Sequence, residues 1–309
     1  MGEETSKGVY LKMKLYHIFR PIYIPIIRKT ENTRLYRLLY ANREIKKWSV
    51  KNTHIFTYIE IETLNRCNGK CSFCPINATA PQRQYAKMDE QVFKKIIDEL
   101  SEMGFDRKVA LFSNNEPFLD ERIIDFAKYA RNKLPKAYLF LYSNGTVLTM
   151  EKFTGILPYI NELVIDNYND EMEWIPNVQK IWDYCQKHPE LRGKVIFYKR
   201  LENQVLLSRG GQAPNRSAFS HNRFWKCGRP FNQVIIRPDG KLSLCCSDPM
   251  GVYTMGDVSK NTLKEIWFSD KYQRIRSQIQ KNGGAGMKLC KNCDDWSGKL
   301  DVKIVPEQW

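Results

Sequence analysis

The sequence predicts an α/β protein that consists of a partial, open (β/α)6 barrel followed by a small α+β domain. Short β-like runs alternate with amphipathic helical runs between residues 54 and 210, which is the pattern of a parallel sheet built from βα units. Farther on, a Pro-Asp-Gly turn between two apolar runs predicts a β-hairpin. The chain has 309 residues, enough for one large and one small domain. We therefore expect domains at residues 54–210 and 211–309, preceded by an N-terminal extension at residues 1–53.

Each element follows from its local pattern. Runs of apolar, β-branched and aromatic residues predict six strands, at residues 56–62, 108–113, 137–143, 162–166, 194–200 and 204–208. Helical spacing of apolar residues, with Asp89 as the first N-cap, predicts helices at residues 89–103, 120–133, 149–157, 173–188 and 263–280. Ligands of such barrels bind at the carboxyl ends of the strands, so we expect the site in the loops that follow the strands.

Composition limits the classes of protein to which the chain can belong. Hydrophobic residues make up 42% of the chain, the mean hydropathy is −0.51, and no long apolar run predicts a membrane-spanning helix. The N-terminus lacks the pattern of a signal peptide, so the nine cysteines favour metal binding in a reducing cytoplasm over disulfide bonds. The net charge of +15 is spread along the chain and predicts a basic solvated surface rather than a nucleic-acid site. Within the N-terminal extension, residues 13–28 are apolar and aromatic with interspersed basic residues, and residues 34–48 have apolar residues near helical spacing. The extension could lie on a membrane surface, cover the open end of the barrel, mediate assembly or pack against the core.

The strongest chemical signal is a group of three cysteines directly after the first predicted strand. Cys67, Cys71 and Cys74 have the spacing C-x3-C-x2-C. Three thiolates at this spacing can hold three corners of a cubane iron–sulfur cluster and leave one iron open. A zinc site would normally require a fourth ligand, and three unrelated buried cysteines are the other alternative.

This motif resembles the signature of radical S-adenosylmethionine (radical SAM) enzymes. The resemblance implies that these three cysteines bind a 4Fe–4S cluster whose open iron holds S-adenosyl-L-methionine, with Phe73 beside the adenine. In that family an electron from the cluster, supplied by a donor such as flavodoxin or ferredoxin, cleaves the cofactor to a 5′-deoxyadenosyl radical. The radical then takes a hydrogen atom from the substrate.

Further cofactor-binding residues follow from the same resemblance. Asn114, Asn115 and Glu116 occupy the place of the family's Gly-Gly-Glu-Pro motif, whose backbone carbonyls and carboxylate receive the ammonium group of the cofactor. The glutamate matches, whereas asparagines replace both glycines; Asn tolerates unusual backbone angles better than most residues. Ser143-Asn144 and Asp166 resemble positions that bind the ribose and carboxylate of the cofactor, and ordinary turn chemistry is the alternative.

Polar residues in two predicted strands are candidate substrate-binding groups. Alternation along the first strand places Glu60 and Glu62 on the face opposite to its isoleucines, and the same rule puts Tyr198 and Arg200 on one face of the fifth strand. Arg200 could neutralise either glutamate or hold a substrate carboxylate, whereas structural pairing with an interior Lys or Arg is the alternative for the glutamates. Arg209 lies in a glycine-containing turn that either approaches the cofactor or substrate or is a plain linker.

The C-terminal part contains a second group of cysteines. Cys227, Cys245, Cys290 and Cys293 flank the predicted hairpin and end in a C-x2-C pair, a pattern that could hold zinc or an iron–sulfur cluster. Beside the first motif, this pattern resembles the twitch domain, a truncated relative of the SPASM domain. The resemblance implies one auxiliary 4Fe–4S cluster bound by all four cysteines, and hence a radical SAM barrel with a twitch/SPASM-like domain.

The sequence indicates which cofactors the protein binds more clearly than it indicates which reaction the protein catalyses. Cys246, next to a predicted ligand, could donate a hydrogen atom to a substrate radical, as a cysteine does in some radical epimerases of sugars; an inert neighbour is the alternative. We therefore predict a radical SAM enzyme that acts on a carbohydrate or aminocyclitol, with epimerisation as the first reaction. Alcohol oxidation through the auxiliary cluster is the second, and a peptide maturase is a further alternative. The non-enzymatic alternative is a zinc-stabilised binding module that uses the positive charge.

Overall fold

The computed structural model describes residues 54–76, 83–216, 227–294 and 307–309. These residues form a mixed α/β fold in which a largely parallel sheet packs against helices. The predicted N-terminal extension lies outside the described part of the chain. None of the described helices has the length and apolar character needed to cross a membrane.

One sheet organises the described residues. Its strands are β1 Tyr58–Ile61, β2 Lys108–Ala110, β3 Tyr138–Ser143, β4 Glu162–Tyr168, β5 Val195–Arg200, β6 Gln233–Ile236, β7 Lys241–Ser243 and β8 Thr254–Asp257. They lie in the order β5-β4-β3-β2-β1-β6-β7-β8. All pairs from β5 across to β6 are parallel, and β7 and β8 continue the sheet in antiparallel pairs.

The described residues contain the four predicted barrel helices, a break in the predicted C-terminal helix, and one short helix at Arg229–Asn232 that was not predicted. They are α1 Glu90–Glu102, α2 Ile123–Lys133, α3 Met150–Ile156, α4 Pro176–Gln186, α5 Arg229–Asn232, α6 Leu263–Phe268 and α7 Asp270–Asn282. The Asp89 carboxylate accepts a hydrogen bond from the N–H of Gln91 at 2.7 Å, which confirms the predicted N-cap. The single helix predicted over residues 263–280 is instead α6 and α7, because Ser269 is extended and its hydroxyl caps the N–H of Tyr272 at 3.4 Å.

The sixth parallel strand lies elsewhere than the sequence pattern predicts. Residues 204–208 form no strand, because side chains bind their backbone groups: Arg216 donates to the carbonyl of Leu206 at 2.7 Å, and Asp294 accepts from the N–H of Ser208 at 2.7 Å. The sixth parallel strand is β6, which pairs with β1 instead of β5. The predicted hairpin is confirmed as β6 and β7, and its first strand extends the barrel sheet.

The two faces of the sheet differ in character. On one face, the isoleucines of β1 pack against the helices in the main hydrophobic core. On the other face, the rings of Tyr58 and Phe140 lie 5.9 Å apart and those of Phe112 and Tyr142 lie 4.9 Å apart. We call these four residues the aromatic face. The Glu60 carboxylate contacts the Tyr58 hydroxyl on this side, so the predicted alternation along β1 is confirmed.

Two contacts of α1 fix the C-terminal part of the chain against the barrel. The Lys95 ammonium donates to the carbonyl of Val258 at 2.7 Å. The Glu99 carboxylate accepts from the N–H of Leu263, the first residue of α6, at 2.7 Å. A carboxylate at the N-terminus of a helix satisfies an otherwise free N–H and interacts favourably with the helix dipole. These contacts join α1 to the segment between β8 and α6.

Candidate active site

The three cysteines predicted to hold the open cluster lie together in the loop after β1. Gly69 lies between two of them, since a Cβ added to it would be 3.4 Å from the Cys67 sulfur and 3.7 Å from the Cys71 sulfur. The N–H of Cys74 donates to the carbonyl of Cys71 at 3.1 Å. Burial raises the pKa of Cys67 to about 11 and that of Cys71 to about 12, and the neighbouring Cys74 thiol adds to both shifts.

This donor set fits an iron–sulfur cluster. The three thiols act on one another electrostatically, and the glycine between them leaves space beside the sulfurs. As placed in the described chain, no three Cys, His, Asp or Glu side chains converge on one point as the ligands of a single metal ion do. A cubane does not require that convergence, because each thiolate binds its own iron.

Glu116 uses its carboxylate to hold the turn after β3. Its oxygens accept hydrogen bonds from the Ser143 hydroxyl at 2.9 Å, the N–H of Asn144 at 2.7 Å and the N–H of Phe118 at 3.1 Å. Burial raises the pKa of this carboxyl group to about 7, although all three hydrogen bonds act in the opposite direction. Both oxygens have protein partners, and contact of Glu116 with the ammonium group of the cofactor stays a prediction.

The turn after β3 contacts the cysteine loop directly. The Asn144 side chain donates to the Cys67 sulfur at 3.7 Å and to the Asn68 side-chain oxygen at 3.0 Å. The structure thus joins Glu116, the Ser143-Asn144 turn and the first cysteine in one hydrogen-bonded group. This group lies at the carboxyl ends of neighbouring parallel strands, where the resemblance predicts the cofactor.

The two asparagines that replace the family's glycines need no glycine-like backbone. Among the described residues other than glycine, only Met172 and Arg209 have a positive φ. The Asn115 side-chain oxygen accepts from the N–H of Ser113 at 3.0 Å, and the Asn114 side-chain oxygen accepts from Arg209. Both side chains therefore stabilise the loop after β2, and their contact with the cofactor stays a prediction.

Arg200 neutralises neither Glu60 nor Glu62, so this expectation is wrong. Its guanidinium pairs with Asp166 on β4 at 3.0 Å and lies 5.2 Å from the centre of the Tyr168 ring. The order of the strands explains the difference. β4 is the neighbour of β5, whereas three strands separate β5 from β1.

Tyr168 connects several predicted residues on the side of the barrel where the cysteine loop lies. Its ring lies 5.6 Å from that of Phe73 and next to the Asp166–Arg200 pair. Burial raises its pKa, and two thiols of the cysteine loop add to this shift. Tyr168 is not among the residues predicted from the sequence, although alternation along β4 places it on the same face as Asp166. Alternation from Asp166 along the strand is therefore the sequence signal that identifies Tyr168 as a site residue.

The two buried carboxylates of the first predicted strand have different partners. Glu60 accepts hydrogen bonds from the Ser113 hydroxyl at 2.5 Å and the Gln233 amide at 2.7 Å, and burial raises its pKa. Glu62 pairs with Arg83 at 3.1 Å, and burial raises its pKa to about 7 although Arg83 opposes the shift. Glu62 therefore pairs with an interior arginine, which was the alternative to substrate contact. Glu60, in contrast, lies beside the aromatic face.

Tyr198 extends the apolar lining of the barrel interior. It packs with Val164 and Ile196 in a small cluster separate from the main core. The register pairs Val164 with Tyr142, so the cluster lies on the same side of the sheet as the aromatic face. A role of Tyr198 in substrate binding stays a prediction.

Arg209 connects the loop after β2 with the C-terminal cysteines. Its backbone is left-handed, with φ of 51°, which is unusual for a residue other than glycine. Its guanidinium donates to the Asn114 side-chain oxygen and, at 2.8 Å, to the carbonyl of Cys246. The next residue, Gly210, packs so closely that an added Cβ would lie 2.5 Å from the Leu289 side chain. The turn is thus packed between two parts of the site.

The four cysteines of the second group line one cavity. Its walls are largely apolar and include Cys227, Cys245, Cys290, Cys293, Leu244 and Leu289. Burial raises the pKa of Cys245 and of Cys290 well above the usual range, and the other thiols of the group add to both shifts. Four thiols around one apolar cavity fit a fully ligated auxiliary cluster.

Cys246 lies outside this cavity, as alternation next to Cys245 predicts. Its sulfur accepts a hydrogen bond from the Arg229 guanidinium at 3.0 Å. It also acts electrostatically on the Tyr58 phenol, a member of the aromatic face. Arg229 and Gln233 are further polar residues that the sequence did not identify, because their role depends on the position of β6 beside β1.

Two family models match the chain. The model of the Radical SAM superfamily matches residues 61–169, and that of SPASM, an iron-sulfur cluster-binding domain, matches residues 227–294. This chain is a radical SAM enzyme with a SPASM domain. Its cofactors are S-adenosyl-L-methionine and 4Fe–4S clusters, including an auxiliary one. The matched residues contain all seven cysteines predicted as ligands.

Known proteins of similar sequence and fold cover most of this radical SAM enzyme. The S-adenosyl-L-methionine-dependent 2-deoxy-scyllo-inosamine dehydrogenase of Niallia circulans is 24% identical over 244 residues, or 79% of this chain and 94% of that protein. A crystal structure of BtrN in complex with AdoMet and 2-DOIA has a TM-score of 0.67 at 24% identity, covering 78% of this chain and 94% of BtrN. An open conformation of BtrN has a TM-score of 0.58 at 20% identity, covering 82% and 96%. The structural likenesses show a shared fold.

Proposed function

We propose that this radical SAM enzyme is a dehydrogenase that oxidises a secondary alcohol of an aminocyclitol or a related cyclic polyol. The relative from Niallia circulans is named as such a dehydrogenase, and this chain spans 94% of its length. Alcohol oxidation was the second reaction predicted from the sequence. The first, epimerisation, finds no support in the comparisons.

The observation that carries the proposal is the position of the auxiliary cavity beside the barrel interior. Cys245 lines the cavity, and the carbonyl of the adjacent Cys246 accepts a hydrogen bond from Arg209, which also contacts Asn114. When bound, the cofactors supply a hydrogen-atom acceptor at the first site and a one-electron acceptor at the second, so that H–C–OH becomes C=O with release of one proton. Arg209 thus connects the two sites that such a reaction needs.

Glu60 is the group that we propose to receive the hydroxyl proton. It is buried beside the aromatic face, and burial raises its pKa. A carboxylate with a raised pKa accepts a proton more readily near neutral pH. The aromatic face offers apolar surface to the C–H groups of a polyol ring. The charged groups around Glu60 can form hydrogen bonds with the hydroxyl groups of the same polyol.

The direct test is product analysis without oxygen. Reconstituted enzyme is incubated with S-adenosylmethionine, dithionite and 2-deoxy-scyllo-inosamine. We expect a ketone that has lost two hydrogen atoms relative to the substrate, together with equal amounts of 5′-deoxyadenosine and methionine. Formation of 5′-deoxyadenosine with a product of unchanged mass would contradict the dehydrogenase.

Cys246 makes epimerisation the second candidate. Its sulfur lies outside the auxiliary cavity and acts on Tyr58 of the aromatic face, so it faces the side on which we propose that substrate binds. In deuterated water a thiol carries solvent deuterium. An epimerase would place one deuterium at the inverted carbon, and the Cys246→Ala variant would lose this label. A dehydrogenase gives a ketone with no deuterium at the reacting carbon in either protein.

We further propose that flavodoxin or ferredoxin reduces the first cluster, in the cytoplasm. No disulfide bond joins any of the nine cysteines, all of which lie among the described residues, and this suits a reducing compartment. A flavodoxin system driven by NADPH should replace dithionite in the product assay. If neither flavodoxin nor ferredoxin supported turnover of enzyme that is active with dithionite, this choice of reductant would be wrong.

A further inference from the structure

A buried arginine lies behind the auxiliary cavity without an acidic partner. Arg276, in α7, is 1% exposed. Its guanidinium donates to the carbonyl of Pro230 at 2.9 Å and to that of Trp267 at 2.8 Å. It also lies over the rings of Trp267 and Tyr272, at 4.0 and 4.6 Å from their centres. In the described part of the chain no carboxylate pairs with it, and its Nη2 has no hydrogen-bond partner.

Such a cation is unfavourable without a counter-charge. Burial disfavours the charged form and lowers the pKa of Arg276 to about 10. The group nevertheless stays charged at neutral pH. Buried charges in proteins are normally paired. The two carbonyls accept hydrogen bonds and the two ring faces attract the cation, but none of these groups carries a full negative charge. An anion is therefore expected near Arg276.

The auxiliary site provides that anion. Pro230, whose carbonyl accepts from Arg276, lines the cavity, and so does Ile279, one turn farther along α7. Cys245 is close enough to Tyr272, under the guanidinium, to act on it electrostatically, and the buried Tyr272 hydroxyl also has no hydrogen-bond partner in the described chain. Four thiolates on a 4Fe–4S core carry net negative charge, which increases when the cluster takes up an electron.

We infer that Arg276 and the Tyr272 hydroxyl raise the reduction potential of the auxiliary cluster. A nearby positive charge and hydrogen-bond donors stabilise the more negative, reduced form. The cluster then accepts the electron released by the substrate more readily. Only this last consequence rests on the proposed dehydrogenase reaction, since the electrostatic effect requires the cluster alone.

The test measures the midpoint potential of the auxiliary cluster by a redox titration followed by EPR. The full chain carries Cys67→Ala, Cys71→Ala and Cys74→Ala, so that the auxiliary cluster is the one observed. Arg276→Gln keeps hydrogen-bond donors but removes the charge, and we expect the potential to fall by ~59 mV or more, a tenfold change in the one-electron equilibrium. Arg276→Lys should recover part of this loss. Tyr272→Phe should lower the potential by a smaller amount.

A matched control is available in the barrel. Arg131 in α2 also donates to carbonyl groups, those of Tyr159 and Ala137 at 3.0 Å each, and burial lowers its pKa. It contacts no residue of the auxiliary cavity in the described chain. Arg131→Gln should therefore leave the potential of the auxiliary cluster unchanged.

The outcomes separate this inference from the proposed reaction. Unchanged potentials in Arg276→Gln and Tyr272→Phe, at full iron content, would overturn the inference. If Arg276→Gln assembled no cluster, the potential of Tyr272→Phe would decide: a lowered potential would support the inference and an unchanged one would overturn it. A parent variant without any cluster would overturn both the inference and the ligand assignment. Lowered potentials, with no ketone formed by the unmodified enzyme, would support the inference and contradict the dehydrogenase.

Discussion

The two groups of cysteines in this chain have contrasting surroundings. The loop after β1 is polar: Asn144 donates to the Cys67 sulfur, and Glu116 holds the turn that presents Asn144. The auxiliary cavity is largely apolar, although Arg229 lines it, and Arg276 lies behind the cavity wall at Pro230. A cluster that must bind a cofactor at one iron requires polar groups around that iron, whereas a cluster that only accepts an electron is protected by apolar walls. Three thiols leave one iron open at the first site and four close the second, and the surroundings of each group suit that difference.

The largest effect should come from the polar, open site. Cys71→Ala removes one of three predicted ligands, and the formation of 5′-deoxyadenosine should fall to the background of the assay. Chromatography after anaerobic reconstitution with dithionite measures it. Cys185→Ala is the control, because Cys185 is buried among the helices of the main core and should not affect cleavage. Cleavage that survives in Cys71→Ala would contradict the ligand assignment.

Removing a ligand of the closed site should separate the two halves of the reaction. In Cys290→Ala we expect 5′-deoxyadenosine to form while ketone per deoxyadenosine falls at least ~10-fold, since loss of a predicted ligand should cost no less than the ~10- to 100-fold loss caused by changing a residue that only contacts a ligand. The iron content should decrease by about four atoms per chain. The ratio of the two products is the measurement. A proportional loss of both would mean that the auxiliary cluster supports the fold and not the oxidation.

The grouping of the first three cysteines and most strands could be predicted because their signals are local. The spacing of Cys67, Cys71 and Cys74 falls within one loop, and β1 to β5 follow from short runs of neighbouring residues. The position of β6 could not be predicted in this way. Pairing of β6 with β1 joins segments more than 170 residues apart, as in the hydrogen bond of Gln233 with Glu60, whose residues are 173 positions apart.

Side-chain partners in the site were less predictable for the same reason. The alternation rule gives the face on which Arg200 lies, but only the strand order shows that its neighbour is Asp166 and not a glutamate of β1. Arg276 lies in a helix with many charged residues and looks like a solvated group in the sequence. Its burial depends on Trp267 and Pro230, which reach it only after α6, α7 and α5 pack together.

An intermediate effect is expected from a residue that supports the open site without being a ligand. Asn144→Ala removes the donor to the Cys67 sulfur, and we expect 5′-deoxyadenosine formation to fall ~10-fold, as for other groups that contact metal ligands. The auxiliary cluster should keep its EPR signal. Asn282→Ala, at the end of α7, is the control, because this side chain bonds only to Gln278 among the described residues. Equal rates in both variants would show that the polar surroundings of Cys67 do not assist the cluster.

The smallest effect concerns stability and extends the comparison to pH, since Glu62 is a buried carboxylate of the barrel and Arg276 is a buried cation of the auxiliary region. Burial raises the pKa of Glu62 to about 7, from an ordinary value near ~4.3. Between these values the folded chain binds more protons than the unfolded chain. The free energy of unfolding should therefore fall as the pH rises from ~4.5 to ~7, by ~1–3 kcal/mol, and then level off.

Urea unfolding without cofactors, at pH 5 and pH 8, measures this dependence. Glu62→Gln should flatten it whatever its effect at a single pH, because an amide does not titrate in this range. The flattening should be partial, since burial also raises the pKa of Glu116 to about 7 and acts in the same direction. An unchanged slope in Glu62→Gln would show that Arg83 keeps the Glu62 carboxylate charged at both pH values. The barrel would then bury an ion pair, and the contrast with Arg276 would become one between a paired and an unpaired arginine.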